Sequence, residues 1–221
     1  MANGPNPAGE TAAIPARMIP ASTNRPGRLV KWTAWVVMTL MTLSVAFLSE
    51  LPLLRAGTAT RAHLVDIRWL LLPHVIGASV ALTTGAVQFS SRIRRWNLTF
   101  HRITGRIYAG SIFVAGPVAI VMSHGSVFFT ATIVQAGAWM VTATAAMVTA
   151  RSRQIELHRQ WVVRSYAVTF TFIVLHVLNP LGVWTYFSES EYATAIIICT
   201  FLAVLVPDVA FSWNQLRRRR G

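Results

Sequence analysis

Six stretches of this chain are apolar for close to the length that crosses a bilayer, and the charged residues fall almost wholly between them. The stretches are 32–49, 69–89, 107–122, 127–150, 162–183 and 192–213. A helix rises about 1.5 Å per residue, so roughly 20 apolar residues cover a hydrocarbon core. The third stretch reaches that length once 104–106 join it. Only Ser123 to Ser126 separate the third stretch from the fourth, so the turn formers His124 and Gly125 must divide them. The pattern predicts an all-α integral membrane bundle of six transmembrane helices.

Charge placement supplies an orientation. All but three of the 20 Lys and Arg residues fall on one side of the six-span layout. That side takes Arg17, Arg25, Arg28 and Lys31 before the first span, and Arg92, Arg94, Arg95, Arg102 and Arg106 between the second and third. It also takes Arg151, Arg153, Arg159 and Arg164 between the fourth and fifth, and Arg217 to Arg220 at the end. Only Arg55, Arg61 and Arg68 lie opposite, and the last connection there carries Glu189 and Glu191. Basic residues stay on the cytoplasmic side, which predicts a multi-pass protein of the cell membrane with both termini cytoplasmic. Trp32, Trp69, Trp161, Trp184 and Trp213 sit near span ends, where interfacial belts form.

Residues 1–28 are rich in Pro, Gly, Ala and Asn without apolar period, and read as a disordered cytoplasmic tail. Residues 29–216 form the transmembrane domain, and 217–221 a basic tail. The first stretch follows Arg28 and Lys31 as a secretory signal would, but it is long for one and no cleavage site follows, so it reads as a retained helix. A net charge of +13 on a soluble fold would suggest nucleic acid. Here the cations flank apolar runs, so the expected partners are a bilayer with anionic lipids, not nucleic acid. Cys199 is the single cysteine, which excludes an intrachain disulfide and a thiolate cluster.

Two short segments resemble each other. His101-Arg102 is followed by Gly105-Arg106, and His158-Arg159 by Trp161 and Arg164; aligning the histidines also aligns Arg94 with Arg151. Each leads from a basic connection into a helix, so helix pairs two-three and four-five read as a weak internal repeat. Imidazoles at such positions can ligate a metal or haem iron, and guanidinium groups can hold carboxylates or phosphates. Gly105 beside His101 would leave room for a flat group. His74, His124 and His176 lie toward the opposite end. His74 and His176 have similar depths and could meet across a bundle, while His124 sits in the turn. The plain alternative for His74 and His176 is a hydrogen bond to Thr83, Thr169 or a backbone carbonyl. Gln88, Gln135 and Asn179 read as interhelical bonds, and Asp208 as the only carboxylate well inside a helix. Gly-rich phosphate loops, a His-Glu-x-x-His zinc helix and a Gly-x-Ser-x-Gly elbow are absent.

At these residues the chain resembles a family of bacterial membrane proteins known as domain of unknown function 2306. The resemblance covers roughly 69–176 and rests on His74, Gly85, Gln88-Phe89, His101-Arg102, Gly105-Arg106, His158-Arg159, Trp161 and Arg164 to Tyr166. It implies a helical membrane bundle and no assigned activity. More loosely, the chain is similar to cytochrome b561-type proteins, whose six helices hold two b haems through histidines on the central four. The fourth helix here carries no histidine. A haem would therefore need His101 with His158 at one level and His74 with His176 or His124 at the other.

The leading expectation is a b-type haem-binding transmembrane electron carrier or reductase. In it His74, His101, His158 and His176 are ligands, and Arg106 and Arg164 hold propionates or a small acidic reductant. The alternatives are a transporter built on the repeat and a protein holding a transition metal through His74, His124 and His176. A homo-oligomer is compatible with each.

Overall fold

The computed structural model describes residues 32–33, 36–41, 43–44, 68–178 and 186–220, without the side chains of 68, 176–178 and 218–220. The chain divides into two compact units, Met1–Val36 and Val37–Gly221. Of the first, the described residues Trp32, Thr33 and Val36 are helical. The second holds the bundle.

Its described elements are all helical: α1 (Arg68–Gln88), α2 (Ser91–Trp96), α3 (Leu98–Met122), α4 (Phe129–Arg151), α5 (Ile155–Leu178) and α6 (Glu189–Arg220). Four are long and apolar enough to cross a membrane: α1, α3, α4 and α6. Their exposed faces carry large apolar side chains such as Ile76, Phe113, Val141 and Phe201, which water would not tolerate at this density. The 24 residues of α5 match a span in length, but Glu156, His158, Arg159 and Arg164 lower its hydropathy near the start. Of the expected first span, only scattered residues of 32–44 are described, all helical; 45–67 and Asn179 lie outside the described residues.

Short connections force neighbouring helices to run antiparallel. The second stretch of the sequence becomes α1 almost unchanged. The third begins earlier than its apolar run, at Leu98, because Asn97 caps it by accepting the Phe100 N–H at 2.9 Å. The basic connection before it is helical as well: Ser90 accepts the Ile93 N–H at 3.3 Å and starts α2. The expected turn between α3 and α4 is present, with Gly125 at φ 78°. The reversal between α4 and α5 puts Arg153 at φ 57°, a left-handed conformation unusual for a residue with a Cβ.

Packing is closest within two hairpins, α1 with α3 and α4 with α5. Gly77 lets α1 and α3 approach: a Cβ there would meet the Ala115 Cβ at 3.0 Å and the Ser111 carbonyl at 3.1 Å. Gly85 admits two rings in the same way, since a Cβ would lie 2.5 Å from Tyr166 Cδ2 and 2.8 Å from Tyr108 Cε2. Small residues at helix contacts are what lipid-embedded bundles use, because apolar surface alone gains little there.

Candidate functional site

Halfway along the bundle the buried polar side chains satisfy one another. The Tyr108 hydroxyl lies 2.8 Å from Ser165 Oγ and 3.0 Å from Thr169 Oγ1. Trp139 Nε1–H donates to Thr169 Oγ1 at 2.7 Å. Tyr166 donates to the Leu82 carbonyl at 3.2 Å. Gln88 donates to Thr104 Oγ1 at 2.8 Å and Gln135 to Thr171 Oγ1 at 2.9 Å, the interhelical roles expected of both glutamines. These bonds tie α3, α4 and α5 into one unit.

The histidines lie at the two ends. His158, in the first turns of α5, places Nδ1 at 2.8 Å from the Ala146 carbonyl on α4. A carbonyl oxygen only accepts, so Nδ1 carries the proton and Nε2 the lone pair. His101, in the first turn of α3, is half-buried; its Nδ1 is buried and has no hydrogen-bond partner among the described residues. His158, Arg94 and Arg102 all lie within electrostatic reach of His101. The repeat seen in the sequence thus brings the two His-Arg segments to the same end of the bundle.

His74 mirrors His158 at the far end. Its Nδ1 lies 3.0 Å from the Ala115 carbonyl on α3, so the proton is again on Nδ1. The plain expectation of a backbone carbonyl partner is what this nitrogen has. The ring packs against Phe172, centroids 5.8 Å apart. It also lines a cavity of about 520 Å³ between the helix ends, with Gly116, Gln135, Ala136, Trp139 and Phe172 among the walls. Ligand pockets commonly span about 300–1,000 Å³, so this one has the volume of a small-molecule site.

The remaining expected site residues are placed as follows. His176 lies on α5 one turn beyond Phe172, and its side chain is outside the described residues. His124 is exposed in the α3–α4 turn, edge-on to Phe129 at 5.3 Å. Among the described residues, no three His, Cys, Asp or Glu side chains cluster as a metal site would need. Arg106 is exposed on α3. Arg164 is engaged within the bundle: its Nε and Nη2 both reach Asp208 Oδ1 on α6. Its guanidinium also packs over Trp161 at 4.6 Å and Phe211 at 5.5 Å. Any propionate role for Arg164 would compete with Asp208. The space beside Gly105, expected to admit a flat group, is taken by Gln88, whose Oε1 lies 3.2 Å from where a Cβ would stand.

The sequence reading missed two groupings. The Arg164–Asp208 pair had a signal, because an isolated carboxylate in a span requires a partner. Arg94 and Arg102 were read as parts of the His-Arg repeat, and that His101 would lie in the field of both and of His158 was not.

Several long apolar helices packed through small residues and internal hydrogen bonds define an integral membrane helical protein. The chain belongs to the family described as predicted membrane protein DUF2306, whose pattern it matches over residues 71–214. No curated protein and no solved structure matches it.

Proposed function

We propose that this chain is a six-span plasma-membrane electron carrier with both termini cytoplasmic, holding b-type haem through imidazoles near both membrane faces. The inner level would use His101 and His158, and the outer level His74 and His176. The single observation that carries the reading is the basic end of the bundle. There, a buried ring nitrogen of His101 has no partner among the described residues, while the neighbouring His158 directs its Nδ1–H to the Ala146 carbonyl and leaves Nε2 for a ligand. Ligating histidines are typically held this way, with the other ring nitrogen donating to a carbonyl or carboxylate. A buried polar atom without a partner is costly, and a group bound at that nitrogen would remove the cost.

The donor set fits the group. Two neutral imidazoles suit haem iron, and a cavity walled by Trp139, Phe172, Gly116 and Ala136 beside His74 suits a flat macrocycle. Bound haem would supply a one-electron couple whose potential depends on its ligands and burial. The protein's own part is to fix ring orientation through the Ala115 and Ala146 carbonyls and to keep water from the mid-bundle. Arg94, within electrostatic reach of His101, would balance an inner propionate, whereas Arg164 is already paired with Asp208.

The test is an optical spectrum of the full chain expressed with ample haem, together with metal analysis. The expected result is a Soret band that weakens strongly in His101→Ala and His158→Ala. No Soret absorption in the wild-type protein, or a bound transition metal without porphyrin, would overturn it.

A further inference from the structure

At the basic end, cations outnumber the carboxylates that could neutralise them. Among the described residues the ion pairs are Arg159 with Glu156 and Arg164 with Asp208, and Glu189 and Glu191 stand at the other end. Arg92, Arg94, Arg95, Arg102 and Arg106 therefore crowd one short segment, α2 and the start of α3, without an acidic partner. Unbalanced guanidinium groups this close repel one another unless an external anion sits among them.

The same segment exposes apolar side chains. Helix α2 buries no residue, and Trp96 at its end is 84% exposed. Leu98, Phe100, Ile103 and Ile107 follow, all exposed. Water disfavours the apolar set and hydrocarbon disfavours the cations. The bilayer interface accommodates both, with an indole at headgroup level and guanidinium forks on phosphate oxygens.

We infer that α2 and the first turns of α3 form a binding surface for anionic phospholipid, with Trp96 as the interfacial anchor and Arg92, Arg95 and Arg102 as phosphate ligands. The surface is formed by the α1–α3 hairpin and does not depend on haem. A polybasic segment gains roughly fivefold in affinity per arginine near an anionic surface. The lipid is favoured over a soluble acidic partner because the exposed indole and aliphatic side chains alternate with the arginines along the segment.

The experiment is native mass spectrometry of the full chain released from nanodiscs that contain equal phosphatidylglycerol and phosphatidylcholine. The wild-type protein is expected to retain phosphatidylglycerol in clear preference. Arg92→Gln/Arg95→Gln/Arg102→Gln should lower that preference roughly a hundredfold. The matching Lys variant, which keeps charge and serves as the folding control, should retain most of it. Equal retention of the two lipids by the wild-type protein, or an unchanged preference in the Gln variant, overturns the inference. Release of the bound lipid by millimolar inorganic phosphate also overturns it, by showing an anion site and not a lipid surface.

Discussion

Halfway along the bundle, the Tyr108 and Thr169 hydroxyls and the Trp139 indole satisfy one another. At the basic end, a few turns away on the same helices, His101 buries a ring nitrogen with no partner among the described residues. Both regions are polar inserts in an apolar bundle. The middle is closed: Tyr108, Trp139 and Tyr166 have partners on neighbouring helices, and such bonds contribute roughly 0.6–1.7 kcal/mol apiece in membranes. At the histidine levels a backbone carbonyl fixes the ring orientation of His74 and His158. Polar groups in the middle therefore serve assembly, and those at the ends are the ones the proposed function assigns to a ligand.

That contrast can be broken most severely at Gly85. Its missing Cβ makes room for Tyr166 and Tyr108, so Gly85→Leu should abolish the folded bundle, read as loss of a monodisperse peak in size-exclusion chromatography. A wild-type profile would mean that the closed middle is not tightly packed.

Next in size is Asp208→Asn. Arg164 is 12% exposed and Asp208 44%, so removing the carboxylate strands a mostly buried guanidinium. The expected loss is roughly 1–3 kcal/mol, below that of a fully buried pair because Asp208 is partly exposed. Arg164→Leu/Asp208→Leu should recover most of it, and equal unfolding midpoints for the two variants would show that the pair contributes nothing particular.

Thr169→Val removes the acceptor of the Trp139 indole and one partner of Tyr108. Unfolding should become easier by about 1 kcal/mol, with cofactor content unchanged. Altered cofactor content would show that the middle and the ends are one site. The smallest effect is expected at Arg153, whose φ of 57° strains a residue with a Cβ. Arg153→Gly should stabilise by about 1 kcal/mol in the same assay, and a destabilised variant would mean that the side chain has a role outside the turn.

Much of this architecture was legible in the sequence, for reasons that particular residues make plain. The apolar stretch 69–89 became α1 because its apolar run is long and Pro73 falls in its second turn, and the turn at His124-Gly125 was readable from its turn formers. Helix α2 was not foreseen, since five of the six residues in Ser91–Trp96 are polar or aromatic and its start depends on the Ser90 cap. The His-Arg repeat pointed to one end of the bundle, and the electrostatic proximity of His101 and His158 agrees with that. Which carbonyl each ring would find was not readable, because Ala115 and Ala146 carry no side-chain signal. The Arg164–Asp208 pair joins residues 44 apart, a contact that helical periodicity does not encode.

The account depends on the histidine ends being ligand sites while the middle is not. Electron paramagnetic resonance of the oxidised full-length protein tests that most directly. The account predicts low-spin ferric signals of bis-imidazole haem that survive Thr169→Val and are lost, at least in part, in His158→Ala. A protein with no ferric haem signal, or one whose signal is untouched by His158→Ala, His101→Ala and His74→Ala together, would contradict it.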